Sequence, residues 1–82
     1  MEKVRLIFST TAGDLEEDFP TNQPLHALKR EVMGRLQLDP SQADEFTVTF
    51  EGNLLDESKT LAELGLQDNA VLLIERREVV KI

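Results

Sequence analysis

Between residues 46 and 74 the apolar positions change their spacing several times, and each change marks an element. Phe46, Val48 and Phe50 alternate with Thr47 and Thr49, which predicts a strand with one buried face. Glu51-Gly52-Asn53 is a turn signal, because glycine adopts positive φ freely and asparagine tolerates it. Leu54 and Leu55 predict a short return strand, and Asp56-Glu57-Ser58 a polar loop. Thr60 with Glu63 three positions later is a capping-box pattern, opening a short turn that carries Leu61 and Leu64 on one side. Gly65 ends that turn, and Val71-Leu72-Leu73-Ile74 forms the last apolar run.

The N-terminal half has a simpler rhythm. Val4, Leu6 and Phe8 alternate with Arg5, Ile7 and Ser9, a first strand that turns at Gly13. A second strand over Asp14–Phe19 sets Glu17 on the same face as Leu15 and Phe19. An unpaired buried carboxylate costs several kcal/mol, so Glu17 must be paired, near a rim, or displaced by a bulge. From Leu25 to Gln37, apolar residues fall at Leu25, Leu28, Val32, Leu36 and more loosely Met33, one face of a helix. Thr21 or Asn22 is the expected capping oxygen, and Leu38-Asp39-Pro40 the stop. Gly34 inside the helix costs about 1 kcal/mol against alanine unless something packs closely there. Ser41–Glu45 is expected as a polar loop. The order β-β-α-β-β makes an α+β fold, with the helix burying its stripe across the concave face of a twisted mixed sheet.

Composition narrows the chemistry. Eighty-two residues make one small domain. There is no cysteine, so no disulfide framework and no thiolate metal or redox site. Sixteen acidic against nine basic residues leave a formal charge of −7, a field that repels phosphate backbones and argues against nucleic acid. The apolar runs are far below the ~20 residues needed to span a membrane, and Met1-Glu2-Lys3 leads into a strand instead of a signal-peptide core. The expectation is a cytoplasmic monomer. His26 has no second histidine, cysteine or serine at motif spacing, so a solvated residue outweighs a ligand or catalyst. Glu16-Glu17-Asp18 lacks the alternating ligands and glycine of a calcium loop. The glycines are dispersed, with no phosphate-cradling loop. No catalytic residue, metal site or cofactor is expected.

The segment Phe50-Glu51-Gly52-Asn53-Leu54-Leu55-Asp56 resembles the Phe-x-Gly-x-x-Leu stretch of the ubiquitin family. Thr60-Leu61 followed by Leu64-Gly65-Leu66 is similar to that family's next turn. The resemblance extends over about residues 4–77, with a few extra residues around Asp39–Glu45. It implies a ubiquitin-like β-grasp domain spanning 1–82, with an ordered core over about 4–77, a short 3-10 turn near 60–64, and a tail at 78–82. The cysteine-dependent ferredoxins of the same general architecture are excluded.

Partners of this family dock on the outer face of the sheet. The resemblance places Thr49, Leu73 and Glu75 in that face, with Thr47, Val71 and Arg77 at its margin. Ubiquitin carries isoleucine, histidine and valine at the first three positions, so the face is more polar here. A one-residue slip in Val71–Ile74 would exchange inward and outward sets; the favoured register keeps Leu72 and Ile74 inside. Ile7, apolar and outward on the first strand, marks a second candidate surface. Lys29 matches a covered helix lysine of the family, with Glu57 as its acid partner, a structural pair. The family's chain-building lysines have Asn53, Asp68 and Asp14 as counterparts, while Lys3, Lys59 and Lys81 are other lysines, expected to be exposed.

Conjugated modifiers and sulfur carriers of this type end in Gly-Gly. Here the sequence runs Arg76-Arg77-Glu78-Val79-Val80-Lys81-Ile82, with Val80 and Lys81 at the diglycine positions and no glycine after Gly65. Three function classes follow. The favoured one is a non-catalytic ubiquitin-like protein acting by protein–protein recognition, similar to bacterial proteins of this type encoded beside activating-enzyme-, conjugating-enzyme- and deubiquitinase-like proteins. Its expected partners are such activating- or conjugating-enzyme-like proteins or ubiquitin-binding-type domains. The second is a covalent modifier or sulfur carrier acting through the carboxylate of Ile82. The third is a regulatory or scaffold domain of a larger assembly.

Overall fold

In the computed structural model, residues 2–77 are described. The expected alternation in the first strand holds: Val4, Leu6 and Phe8 are buried in β1 (Lys3–Thr10), which pairs antiparallel with β2 (Gly13–Pro20). Gly13 takes φ 133°, the backbone freedom the hairpin needs. The β1–β2 register runs unbroken from Lys3↔Pro20 to Thr10↔Gly13, so no bulge displaces Glu17. Its carboxylate lies at the rim and is paired with Arg35 of the helix α1 (Leu25–Arg35). That pairing meets the cost of an inward acid.

Three sequence expectations need correction around α1. Its N-cap is Pro24, in extended conformation with no side-chain cap, so neither Thr21 nor Asn22 supplies the capping oxygen. Instead Leu25 N donates to Lys59 O and His26 N to Glu57 O, both at 2.9 Å. A neighbouring loop thus satisfies two of the first backbone donors, as a helix end requires. Thr21 is engaged elsewhere, its N–H donating to Glu2 O and its carbonyl accepting from Ala62 N. The helix also stops at Arg35, short of Gln37. Finally, Pro40–Glu45 is a 3-10 segment instead of a loop, capped by Asp39, whose carboxylate accepts from Ser41 N at 3.0 Å. Pro40 sits against Gly34, where an added Cβ would stand 3.5 Å from the proline ring.

The helix end carries a locally unfavourable choice. Leu38 N donates to Met33 O (2.8 Å) and Gln37 N to Gly34 O (3.2 Å), the paired bonds of a Schellman motif. The residue that must turn left-handed is Gln37, at φ 64°. Gln37→Gly is therefore expected to stabilise the fold by about 0.5–1 kcal/mol, raising the melting midpoint by a few degrees. Thermal melts of the two proteins check this, and an unchanged or lowered midpoint would contradict it.

β3 (Phe46–Phe50) and β4 (Asn53–Leu54) are joined by the two-residue turn Glu51-Gly52, both at positive φ (53° and 81°), the twist a tight hairpin needs. The return strand therefore starts at Asn53, and Leu55 lies past its end. The short turn α2 (Leu61–Leu64) is α-type, with Leu64 N donating to Thr60 O at 3.1 Å; 3-10 geometry lies at Pro40–Glu45. Its capping box is complete, with Glu63 N donating to Thr60 Oγ1 and Thr60 N donating to Glu63 Oε1. Gly65 closes it at φ 69°.

The Thr60 backbone N–H, and then its hydroxyl, hold the Glu63 carboxyl below the usual glutamate range. The hydroxyls and then the backbone N–H groups of Ser58 and Ser41 likewise lower Asp56 and Asp39. A carboxyl lowered by folding contributes stability that is present above its unfolded pKa and lost as pH falls through the folded one. Glu63→Gln should therefore be less stable than the parent near neutral pH, with the gap closing below the ordinary carboxylate range. Melts at about pH 7 and about pH 3 test it; a gap that is constant with pH would refute the ionic cap.

β5 (Ala70–Arg76) completes a five-stranded sheet in the order β2-β1-β5-β3-β4, parallel to β1 and antiparallel to β3. Leu72 and Ile74 are buried and Val71 and Leu73 exposed, which establishes the favoured register. The Leu25, Leu28, Val32 and Met33 stripe of α1 joins the buried sides of β1, β3 and β5 in one core.

Candidate protein-interaction face

Because strand side chains alternate, the burial of Val4, Leu6, Phe8, Val48, Leu72 and Ile74 sends their neighbours to the opposite face. The register then sets which outward residues meet. Ile7 pairs with Val71 across β1 and β5. Ser9, Leu73, Thr49 and Leu54 form the next row across four strands. Thr47 and Glu75 form the third, with the Thr47 hydroxyl donating to Glu75 O at 3.5 Å. Arg77, just past β5, is exposed, and its N–H donates to Glu45 O.

Among the described residues, the large apolar side chains left exposed are Leu54 (69%), Val71 (47%) and Leu73 (38%), and all three lie on this face. Ile7, the expected second surface, is half-buried and lies beside Val71 on the same face. Leu54 was not assigned to the face from sequence. Its signal was present: a two-residue turn at Glu51-Gly52 pairs Phe50 with Asn53 and Thr49 with Leu54. The face is divided, apolar toward Val71 and polar toward Thr47, Glu75 and Arg77.

An open cleft of about 720 Å³ adjoins the apolar end, between the Glu51-Gly52 turn and the Gly65–Ala70 connection. Val71, Leu73, Leu66 and Phe50 line it, and among the described residues its two ionisable lining residues are Glu51 and Asp68. Asp68 Oδ1 accepts from Arg5 N at 2.9 Å, and Asn69 N donates to Arg5 O at 2.7 Å, fastening that rim to β1. The Arg5 guanidinium is turned toward β2, bonded to Glu16 (2.8 Å) and Asp18 (3.2 Å). Those acids, Glu16 foremost, push its pKa above the ordinary arginine value.

Lys29 and Glu57 lie in a different part of the molecule. Lys29 Nζ is buried, 2.9 Å from Phe46 O and 2.5 Å from Glu57 Oε1. This arrangement leaves the lysine tied into the fold. His26 is exposed, and among the described residues no three His, Cys, Asp or Glu side chains converge as a metal site requires. No helix among them is long and apolar enough to cross a membrane. The expected tail residues Val80, Lys81 and Ile82 lie outside the described residues.

No protein-family model matches this sequence, and no curated protein matches it. Solved structures do. The chain is similar to Caldiarchaeum subterraneum ubiquitin, with TM-score 0.77 and 23% identity over 98% of this chain and all (100%) of that one. A protein designed de novo on the basis of ubiquitin gives TM-score 0.76 at 18% identity, covering 98% of this chain and 95% of the other. The N-terminal ubiquitin-like domain of the 4931431F19Rik protein gives 0.73 at 19%, covering 98% and 80%. Sheet order, crossing helix and these structural matches agree: the chain has the ubiquitin-like β-grasp fold.

Proposed function

We propose that this chain is a non-catalytic ubiquitin-like protein that acts by binding other proteins through the outer face of its sheet. The observation that carries this is the gathering of Leu54, Val71 and Leu73 on one face, with Ile7 beside them. Exposed aliphatic side chains gathered on one face of a small acidic domain are a surface for a partner to cover. Covering it is worth ~25 cal/mol per Å² of apolar area removed from water. The expected charges of Glu75 and Arg77 make the other end of the face a polar rim, the arrangement of a protein interface. The cysteine-free, acidic composition fits a cytoplasmic monomer.

The test is capture from a lysate of the source cells, with bound proteins identified by mass spectrometry before and after denaturation. Partners released by denaturation, and weakened about tenfold or more by Leu73→Asp or Thr49→Arg, are the expected result. Both substitutions are at partly exposed positions, and folding is checked by thermal melting. Partners indifferent to both changes would refute the face. Adducts that survive denaturation would instead identify a covalent modifier.

A further inference from the structure

The cleft beside Val71 and Leu73 has a chemical bias that the rest of the face lacks. Its walls offer apolar surface from Leu66, Phe50, Val71 and Leu73, while both ionisable residues at its rim are acids, Glu51 and Asp68. Among the described residues, no basic side chain lines it. Arg5, whose backbone N–H holds Asp68, has its guanidinium paired with Glu16 and Asp18. The rim is also built in advance. Glu51 and Gly52 form a tight turn at positive φ, Asn69 is left-handed at φ 71°, and Asp68 and Asn69 are hydrogen-bonded to the β1 backbone. A ligand entering such a site orders little of the protein, so more of the contact energy appears as affinity.

From this we infer that the cleft takes a cationic amphipathic segment of a partner protein: a branched aliphatic side chain against Val71 and Leu73, flanked by Lys or Arg side chains that meet Glu51 and Asp68. The inference rests on the protein-recognition reading above and specifies its partner. Charge favours this occupant over the alternatives. A second copy of the chain would bring acid against acid, on molecules each carrying −7. A cationic segment would be drawn in by the same field, and its association would weaken with salt. An uncharged apolar segment would leave the two carboxylates partly desolvated without partners.

The test is selection from a random dodecapeptide display library on the immobilised protein, followed by titration of enriched synthetic peptides into 15N-labelled protein. Expected are peptides of net positive charge with at least one large aliphatic residue, shifting the amides of Gly52, Gly65, Asn69, Val71 and Leu73. Glu51→Gln combined with Asp68→Asn should weaken them about tenfold and flatten the salt dependence. Asparagine keeps the acceptor for Arg5 N, so the rim stays folded, which the amide spectrum verifies. Neutral or acidic peptides binding at these same amides would overturn the cationic segment and leave the face as a recognition site. Peptides that shift other amides, and are untouched by Leu73→Asp, would overturn both readings. An absence of enriched peptides would overturn the cationic segment. Self-association by sedimentation, abolished by Leu73→Asp, would give the cleft to a second copy and overturn it as well.

Discussion

Lys29→Ala should cost this protein about 3–5 kcal/mol, a large part of the roughly 4–12 kcal/mol that holds a domain of 82 residues together. The ammonium is buried and bridges three elements: it stands on α1, donates to Phe46 O at the start of β3, and pairs with Glu57 in the loop before α2. Removing it strips a buried carbonyl of its donor, leaves Glu57 partly desolvated, and opens a void beside the core. The carbonyls of Glu57 and Lys59 in the same loop accept from the N–H groups of His26 and Leu25 at the helix N-terminus, so its loosening would also uncap α1. Lys29→Met keeps most of the volume and isolates the electrostatic part. It should cost less, about 1–3 kcal/mol, because a hydrophobic replacement avoids desolvating the charge but still orphans Phe46 O. Urea unfolding of both variants measures the order. Equal stability of Lys29→Ala and the parent would show that the ion pair contributes nothing net.

Phe8→Ala should be comparably damaging, at about 3–5 kcal/mol. Phe8 is fully buried on β1, and its ring meets Phe19 of β2 edge-to-face, with centroids 5.2 Å apart and planes at 85°. Its loss removes apolar burial, leaves a cavity among rigid strands, and deletes an aromatic contact worth about 0.5–1.5 kcal/mol beyond area. Phe8→Leu should recover part of the loss, because it refills much of the void without the ring geometry. Thermal or urea melts check the series; a loss under about 1 kcal/mol for Phe8→Ala would mean that the core collapses around the site.

How far the sequence could be read depended on whether a signal was local. Period-two alternation located β1, β3 and the inward set of β5, and the capping box at Thr60 and Glu63 was visible as a spacing. Glu17 was legible as a problem but not as a solution, because Arg35 reaches it from 18 residues away. The cap of α1 was misread for the same reason. Thr21 and Asn22 are good capping residues, yet the helix start is satisfied by carbonyls more than thirty positions along the chain. For Leu54 the hairpin turn that orients it is local, but its place in the face appears only when β5 and β1 bring Leu73, Val71 and Ile7 to the same side of the sheet.

The sequence by itself determined the strands and the main helix to within a few residues, their order and the inward-facing residues, since these follow from hydrophobic period, glycine turns and a cap with a three-residue reach; the 3-10 segment at Pro40–Glu45 and the cap of α1 came only with the fold. It also determined the acidic charge. Tertiary structure decided which outward residues are neighbours, and it placed the patch at the Val71 end of the face instead of at Glu75. Sheet order β2-β1-β5-β3-β4 joins strands distant in the chain, and only that pairing sets their register. The acid-rimmed cleft is likewise a product of pairing, because Glu51 and Asp68 share it only after two separate turns are brought to one end of the sheet.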